Sequence, residues 1–326
     1  MTVPLIERFR DRLPVSPATP VVSLGEGSTP LLRAARLSKR HGVEVWLKWE
    51  AANPTGSYKD RGMTVAVSKA LEEGAEAVIC ASTGNTAASA AAYAARARLP
   101  ALVLTPQGAV AGAKVAQTRM LGANVLEVRG DFDSALAAAR DLADRGTHAL
   151  VNSLNPYRRE GQKTAVFEIV DELGSAPDAF VIPYGGGGNT SAYAQGLREL
   201  GLGTPIVSAE AEDRPATMAS AIRIGDPAHA ESVRIAGAQV VAVSDGEIVE
   251  AWRELAALEG LFCEPSSAAG LAALHRGAVE GERIVLTITG HGLKDTESAD
   301  RYAPPPRLVD PDPDAIAAAA AAAAAA

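Results

Sequence analysis

Lys59 is the residue in this sequence with the clearest potential for covalent chemistry. It lies in Asn-Pro-Thr-Gly-Ser-Tyr-Lys-Asp-Arg-Gly, residues 53–62, where Pro54 and Gly56 predict a tight turn before an apolar helical pattern. A lysine at such a helix start is partly desolvated, and its neutral amine can attack a carbonyl carbon. For an isolated lysine, a solvated position in a polar loop is the commoner interpretation.

The neighbours of Lys59 have predicted structural roles. Ser57 is a candidate helix cap, because serine often accepts a hydrogen bond from the first turn of a helix. Asp60 and Arg61 are candidates for an ion pair that orients the turn.

A second motif, Ala-Ser-Thr-Gly-Asn-Thr at residues 81–86, joins a predicted strand to an alanine-rich helix. Such a turn can bind an anion, because free backbone N–H groups and the positive helix end converge there. An ordinary capped loop is the alternative. In the functional interpretation, Asn85 donates a hydrogen bond to a bound cofactor. Ser82, Thr83 and Thr86 would then contact a carboxylate or phosphate of the substrate.

A run of glycines forms the third motif: Gly185, Gly186, Gly187 and Gly188, followed by Asn189. Consecutive glycines lose much backbone entropy on folding. Their presence is explained if the backbone must wrap closely around an anion. The dinucleotide fingerprint fails because its last position is not glycine, and no Walker lysine follows. The loop therefore indicates a phosphate that does not belong to a nucleotide.

Two more polar positions follow predicted strands. Thr289 lies at the carboxyl end of residues 283–289, where ligands usually bind in parallel sheets, although it could equally bond its own turn. Asn152, Ser153 and Arg158 lie in a polar segment between a strand and a helix. The guanidinium of an arginine is suited to phosphate or carboxylate, although polar loops are often simply solvated.

The elements that position these motifs alternate between strand-like and helix-like segments, which predicts α/β domains with mostly parallel sheets. The predicted strands are residues 43–49, 77–81, 101–105, 124–128, 149–151, 179–183, 206–210, 239–243 and 283–289. The predicted helices are residues 86–98, 113–121, 132–145, 161–173, 191–200, 245–258 and 267–276. These strands are many for a single open sheet, so two three-layer α/β domains are expected.

The domain division follows from the order of these segments. Residues 51–146 are predicted to form a smaller mobile domain, and residues 1–50 with 147–303 a larger cofactor-binding domain. Residues 304–326 combine a proline-rich stretch with ten alanines from 317 to 326, and we assign this tail no function.

Composition narrows the class of protein. The 326 residues are 47% hydrophobic and 21% charged, and the net charge of −8 argues against general binding to nucleic acid or an anionic membrane. No signal peptide and no apolar run long enough to span a bilayer is evident, so a cytoplasmic protein is expected. Cys80 and Cys263 are predicted to be reduced and buried. The five histidines do not fall at metal-ligand spacing, so no metal site is predicted.

Taken together, the motifs resemble those of the threonine synthase family among the fold-type II pyridoxal phosphate enzymes. The resemblance extends over residues 24–295. It implies that Lys59 is the Schiff-base lysine, that Asn85 contacts the phenolic oxygen of pyridoxal 5'-phosphate, and that residues 185–189 bind its phosphate. Thr289, in Thr-Gly-His-Gly-Leu-Lys-Asp, matches the partner of the ring nitrogen.

The resemblance also implies a reaction. O-phospho-L-homoserine and water would give L-threonine and phosphate by elimination and then hydration, with the Lys59 amine as the base. Asn152, Ser153 and Arg158, together with the turn at residues 82–86, would hold the substrate phosphate. Fold-family analogy further implies a homodimer.

Two departures from the family pattern keep alternatives open. The glycine loop usually reads Gly-Asn-Ala-Gly-Asn in this family, whereas the tetraglycine form looks more like serine and threonine dehydratases. Tyr58 stands where phenylalanine is common. A dehydratase or β-replacement enzyme of the same fold is therefore the nearest alternative. A non-catalytic protein that binds a phosphorylated metabolite is a more distant one, and the intact Lys59 argues against it.

Overall fold

The computed structural model describes residues 3–108 and 112–324. Its strands are β1 (Leu31–Arg33), β2 (Glu44–Trp49), β3 (Ala77–Ala81), β4 (Ala101–Pro106), β5 (Asn124–Val128), β6 (His148–Leu150), β7 (Ala179–Pro183), β8 (Ile206–Ala211), β9 (Gln239–Val243) and β10 (Arg283–Ile288). They form a six-stranded sheet in the order β1-β2-β10-β7-β8-β9 and a four-stranded sheet in the order β5-β4-β3-β6.

Every named strand pair in these sheets is parallel except β1 with β2. The helices are α1 (Leu5–Arg8), α2 (Ala35–His41), α3 (Lys59–Glu72), α4 (Asn85–Ala97), α5 (Ala113–Met120), α6 (Phe132–Asp144), α7 (Pro156–Leu173), α8 (Gly188–Glu199), α9 (Ala230–Ile235), α10 (Asp245–Glu259), α11 (Ala269–His275), α12 (Thr296–Tyr302) and α13 (Pro313–Ala324).

Each sheet is covered by helices on both faces, because successive strand residues point to opposite sides. In the six-stranded sheet, Val181 packs in one core with residues of α2, α10 and α11. Its neighbours Phe180 and Ile182 pack in another core with residues of α7 and α8. In the four-stranded sheet, Cys80 faces α3 and α4, whereas Ile79 faces α6. The expected three-layer α/β architecture is confirmed, as are the buried, reduced thiols of Cys80 and Cys263.

Three features differ from the sequence-based expectation. The short antiparallel strand β1 was not predicted. The proposed boundary at residue 146 lies one strand too early, because β6 pairs with β3 of the smaller sheet. The tail contains α13 rather than only extended chain, and proline is tolerated at its first helical position. The last two alanines of that tail, and residues 1–2 and 109–111 of the proposed domains, lie outside the described residues.

The helices α3 and α7 cross at two glycines. A Cβ at Gly161 of α7 would overlap the carbonyl oxygen of Arg61, and a Cβ at Gly62 of α3 would lie 2.6 Å from the carbonyl oxygen of Arg158. The two backbones are therefore in direct contact. This crossing fixes the first turn of α3, which begins with Lys59, against the first turn of α7, which holds Arg158.

Across the residues that the structure describes, no helix is both long enough and apolar enough to cross a bilayer.

Candidate active site

Lys59 is fixed beside the end of the central strand β10. The backbone N–H of Tyr58 donates a 3.1 Å hydrogen bond to the carbonyl of Thr289, and Ser57 and Gly290 form an antiparallel bridge. Lys59 is half-buried, and its Nζ donates a 2.6 Å hydrogen bond to the Tyr58 hydroxyl. Two motifs that lie far apart in the sequence thus meet at this amine.

Two local predictions around Lys59 were wrong. Ser57 does not cap the helix, since α3 begins after Tyr58 without a side-chain cap. Asp60 and Arg61 do not pair with each other. The Asp60 carboxylate accepts hydrogen bonds from the Thr55 backbone N–H and hydroxyl and from the Ser89 hydroxyl, so it fixes the turn through neutral groups.

Arg61 instead lies in a buried ion cluster behind the turn. Its guanidinium forms two-point contacts with both Glu50, at 2.7 and 2.8 Å, and Glu168, at 2.8 and 2.6 Å. The ammonium of Lys48 lies 3.0 Å from Glu168. All four side chains are essentially inaccessible to solvent. The cluster connects β2, α3 and α7, so it anchors the base of the helix that begins with Lys59.

This cluster predicts a specific loss of stability in acid. Burial favours protonation of Glu168, but the charge and hydrogen bonds of Arg61, together with Lys48, outweigh it and lower the pKa of Glu168 to about 2. A glutamate in the unfolded chain has a pKa of about 4.3. Ionised Glu168 therefore contributes fully to the free energy of unfolding above about pH 4.5. This contribution, about 3 kcal/mol in total, is lost as the pH falls toward 2.

The measurement is urea unfolding of the wild type and of Glu168→Gln at several pH values below about pH 5. The wild type should lose more unfolding free energy than the variant over this range, and equal slopes would contradict the prediction.

Asp60 affects stability in a different pH range. Burial raises the pKa of Asp60 to about 6, despite its hydrogen bonds. The folded protein therefore binds a proton at Asp60 at a pH where the unfolded chain does not yet bind one. As a result, Asp60 raises the free energy of unfolding as the pH falls from about 6 to 4.

Asn85 begins α4 and faces the same strand end. Its Nδ2 donates a 2.9 Å hydrogen bond to Oε1 of Glu264, and its Oδ1 is buried without a partner among residues 3–108 and 112–324. The opposite oxygen of Glu264 lies 3.0 Å from the ammonium of Lys114. Ser82, Thr83 and Thr86 flank Asn85 with partly exposed side chains. Neither Glu264 nor Lys114 was predicted, because neither belongs to a glycine-rich or strand-terminal motif.

Thr289 has a specific partner at the carboxyl end of β10. Its hydroxyl lies 3.0 Å from the Ser267 hydroxyl, which also accepts a 3.0 Å hydrogen bond from the backbone N–H of Gly290. Thr289 is only 4% exposed. Ser267 was predicted only as part of a helix, and it lies on a short 3₁₀ segment that leads into α11.

The tetraglycine segment connects β7 to α8. Gly187 has a φ of 82°, and a Cβ there would lie 3.0 Å from Tyr184 and Val233. A side chain is thus excluded both by the left-handed backbone and by lack of space. The helix starts at Gly188, so the backbone N–H groups of its first turn are available to an anion. Asn189 follows, and its buried Nδ2 has no partner within the described chain.

His229 joins this loop to the polar segment at Ser153. Its backbone N–H donates a 3.0 Å hydrogen bond to the carbonyl of Gly186, and its Nε2 lies 3.1 Å from the carbonyl oxygen of Ser153. Burial lowers the pKa of His229, and so do the nearby positive charges of Arg159, Lys59 and Arg158. Cationic side chains from two predicted motifs, the Lys59 segment and the polar segment with Arg158, therefore lie near His229. His229 itself carried no signal in the sequence.

Arg158 is the most unusual member of this group. It is 1% exposed, and its Nη1 donates a 2.8 Å hydrogen bond to the carbonyl of Val151. Its Nε and Nη2 are buried and lack partners in the part of the chain that the structure describes. Burial lowers the pKa of Arg158. A buried guanidinium with two unpaired nitrogens is unfavourable unless an anion binds to it.

Asn152 occupies a different position. Its Oδ1 accepts a 3.0 Å hydrogen bond from the backbone N–H of Ala81, and its Nδ2 donates one of 2.9 Å to the carbonyl of the same residue. The Asn152 side chain thus hydrogen-bonds to the last residue of β3 as the backbone of a neighbouring strand would. One amide N–H is left for a ligand, so the predicted contact of Asn152 with substrate stays a prediction.

Comparison with known proteins identifies the family of this chain. The model of the family described as pyridoxal-phosphate dependent enzyme matches residues 22–290. The chain belongs to the pyridoxal-phosphate dependent enzyme family. The cofactor expected from the sequence is thereby confirmed at the level of the family.

The resemblance to threonine synthases is also confirmed. A threonine synthase from Synechocystis is 49% identical over 90% of this chain and 84% of that protein. One from Mycobacterium bovis is 48% identical over 94% of this chain and 93% of that protein. Among solved structures, threonine deaminase isoform 2 from Solanum lycopersicum has a TM-score of 0.76 at 23% identity, covering 92% of this chain and 88% of that one. The last comparison bears on the fold alone.

The local groups fit the cofactor of the pyridoxal-phosphate dependent enzymes. Asn85 Nδ2 has a second N–H beyond its bond to Glu264, and the Nδ2 of Asn189 is buried and unpaired within the described chain. The glycine loop presents four consecutive residues of backbone without side chains, and at Gly187 there is no space for one. Such unpaired buried groups are expected where a ligand completes the bonding.

Proposed function

We propose that the chain catalyses the threonine synthase reaction, in which O-phospho-L-homoserine and water give L-threonine and inorganic phosphate. In this reaction the bond from Cγ to the phosphate oxygen breaks, the oxygen of water joins Cβ, and Cγ becomes a methyl carbon. The observation that carries the proposal is Arg158, whose buried Nε and Nη2 lack partners among the described residues. The planar guanidinium fork is suited to a phosphate.

The position of Arg158 supports a substrate phosphate rather than that of the cofactor. The Gly185–Asn189 loop and the start of α8 already form a backbone cradle for one anion. Arg158 lies on a different element, in the first turn of α7. It is therefore not needed for the anion that the loop and the start of α8 would bind. Two separate anion-binding features fit a reaction in which both the cofactor and the substrate carry a phosphate.

Lys59 is the proposed base. Pyridoxal 5'-phosphate, when bound, would take up the electron pair that stays on carbon when a proton leaves to a base. The Lys59 amine would remove and return protons at Cα, Cβ and Cγ of the substrate, with its position set by the start of α3. The 2.6 Å hydrogen bond to the Tyr58 hydroxyl supports a fixed orientation of the amine.

The remaining predicted site residues receive proposed binding roles. Contacts to the cofactor are assigned to Asn85, Gly185, Gly186, Gly187, Gly188, Asn189 and Thr289. Contacts to the substrate are assigned to Ser82, Thr83, Thr86, Asn152, Ser153 and Arg158. We add Ser267 as a positioning residue, because its hydroxyl lies 3.0 Å from that of Thr289.

Water must be kept out until the addition step. We propose a smaller mobile domain that closes over the remainder of the chain. Its near boundary moves from residue 51 to the end of α3, because α3 is fixed against α7, and its far boundary moves from residue 146 to about residue 151. Lys114 of α5 supports the closure, because its ammonium lies 3.0 Å from both Glu264 and the Ser220 hydroxyl. A homodimer is proposed on fold-family analogy alone, and a cytoplasmic location is proposed on the sequence features given above.

The nearest alternative is a serine or threonine dehydratase, which the tetraglycine loop favours. The test is to incubate the holoenzyme separately with O-phospho-L-homoserine, L-threonine and L-serine. Equal amounts of phosphate and L-threonine from the first substrate are expected. Ketoacid and ammonia from the other two, without phosphate release from the first, would overturn the proposal.

A variant separates recognition of the substrate phosphate from binding of the cofactor. Arg158→Met is expected to raise KM for O-phospho-L-homoserine about 10- to 100-fold, because a charge-assisted hydrogen bond contributes about 1.5–3 kcal/mol. The content of bound cofactor should not change. The exposed Arg198→Met is the matched control, with an unchanged KM. A loss of cofactor with no effect on KM would contradict the assigned role.

A further inference from the structure

Three residues that lie far apart in the sequence converge on helices of the larger sheet. His41 is the last residue of α2, Glu254 lies within α10, and His275 is the last residue of α11. One potential ligand atom from each lies within 4.8 Å of the other two. Spacing along the chain gave no sign of this cluster, because the fold brings its members together.

The polar atoms of this cluster are unusually poorly paired. His41 Nε2, His275 Nε2 and Glu254 Oε1 are buried and have no hydrogen-bond partner within residues 3–108 and 112–324. His275 Nε2 lies 2.9 Å from the other oxygen of Glu254, but the two groups are not aligned as a hydrogen bond. Glu254 Oε1 has only its ion-pair contact with Arg40, and the two imidazole nitrogens have no aligned partner within the described chain. Such buried groups are unfavourable unless a ligand completes their bonding.

We propose that His41, Glu254 and His275 bind a divalent transition metal ion of the zinc class. Two imidazoles and one carboxylate form a known ligand set for Zn²⁺, with bond lengths of about 2.0–2.2 Å. Two imidazoles on a tetrahedral ion place their ring centres about 5 Å apart at these bond lengths. The ring centres of His41 and His275 lie 5.1 Å apart, which matches this spacing.

The surroundings leave room for a fourth ligand from solvent. A cavity of about 530 Å³ opens on the cluster, and it is lined by Arg40, His41, Glu250, Arg253, Glu254 and His275. Water in the open position would complete the four-coordinate sphere. The competing partner of Glu254 is Arg40, whose Nη1 lies 3.2 Å from Glu254 Oε1. The Arg40 side chain is 62% exposed, so it can turn into solvent when a metal ion binds.

The ligands are held by a rigid frame. Leu37 of α2, Leu255 of α10 and Leu274 of α11 belong to one hydrophobic core, and the backbone N–H of Leu37 donates a 2.8 Å hydrogen bond to Glu259 at the end of α10. Metal binding would cross-link the ends of these three helices. Lys59 and its partners lie on other elements, so turnover should not depend on the metal.

The test uses the holoenzyme after dialysis against a chelator, titrated with ZnCl₂ by calorimetry, with Co²⁺ absorbance as a second probe. The wild type should bind zinc stoichiometrically. His41→Ala, His275→Ala and Glu254→Gln should each weaken binding at least about 100-fold, because the loss of an outer-shell partner alone weakens a metal site 10- to 100-fold. His148→Ala, a histidine on β6, is the matched control and should bind as the wild type does.

Arg40→Gln gives an effect of opposite sign, because it removes the cation that competes for Glu254, and it should tighten zinc binding severalfold. Unchanged turnover in every variant shows that the protein is folded. Zinc should also raise the melting temperature of the wild type and not that of His275→Ala. Binding by the wild type no tighter than that of a His41→Ala/His275→Ala double variant would overturn the proposal, as would an equal loss in His148→Ala.

Discussion

Replacing Lys59 with alanine is expected to lower the rate of threonine and phosphate formation by at least about 10⁴-fold, since we propose that the residue both attaches the cofactor and moves protons. No other described lysine begins a helix that is bonded to the end of β10, where the Tyr58 N–H meets the Thr289 carbonyl. A neighbouring amine therefore cannot take its place. The measurement is phosphate release from O-phospho-L-homoserine under single-turnover and steady-state conditions.

A structural readout accompanies the activity assay. After borohydride treatment, the wild type should carry the mass of the cofactor on the peptide that contains Lys59, whereas the Lys59→Ala protein should carry none. Lys39→Ala, which removes an exposed lysine of α2, is the control and should behave as the wild type. Normal turnover by Lys59→Ala would remove the basis of the proposed mechanism.

The second large effect is on stability. Replacing Arg61 with methionine is expected to lower the unfolding free energy by about 3–5 kcal/mol, because Glu50 and Glu168 would remain buried without their shared cation. Methionine fills much of the space but cannot replace the four close contacts to the two carboxylates. Urea unfolding followed by circular dichroism measures the change.

The control for this prediction is an ion pair at the surface. Arg283 contacts Glu44 at 2.6 Å, but both side chains are partly exposed, so Arg283→Met should change the unfolding free energy by only about 0–1 kcal/mol. The triple change Arg61→Met/Glu50→Gln/Glu168→Gln should recover part of the loss, because neither carboxylate is then left charged without Arg61, and Lys48 keeps Glu172 at 3.3 Å. Equal effects of Arg61→Met and Arg283→Met would contradict the assigned role of the cluster.

The sequence predicted well both the buried strands, such as β3 and β7, and the parallel edge strands β5 and β9. The predicted strands at residues 77–81, 124–128, 179–183 and 239–243 match β3, β5, β7 and β9 residue for residue. Buried parallel strands appear in the sequence as short apolar runs bounded by turn residues. The edge strand β1, with an exposed burial pattern, has no such run and was missed.

Helix starts were harder to predict when polar residues formed the first turn. The helix α7 was expected from residue 161 but begins at Pro156, because the Asn155 side chain accepts a 2.9 Å hydrogen bond from the Tyr157 N–H. Arg158 is therefore helical rather than part of a loop. In the same way α8 begins at Gly188 and not at residue 191, because the preceding Gly187 adopts a left-handed conformation.

The predicted site residues share a simple geometric origin. Lys59 apart, they follow the carboxyl ends of strands, and parallel pairing brings those ends to one edge of each sheet. Residues whose role depends on distant partners could not be predicted in this way. Glu264 contacts Asn85 across 179 positions in the sequence, and His229 contacts Ser153 across 76. No local pattern encodes such pairs.

The glycine crossing between α3 and α7 has a consequence for how such an enzyme can change. Since Gly62 and Gly161 leave no gap between the two backbones, the proposed attachment point of the cofactor, Lys59, and the arginine proposed to select the substrate, Arg158, move as one rigid piece. New substrate preferences would then have to arise in the loops around this piece, such as the tetraglycine segment. Adding even a methyl group at the crossing would disturb chemistry and recognition together.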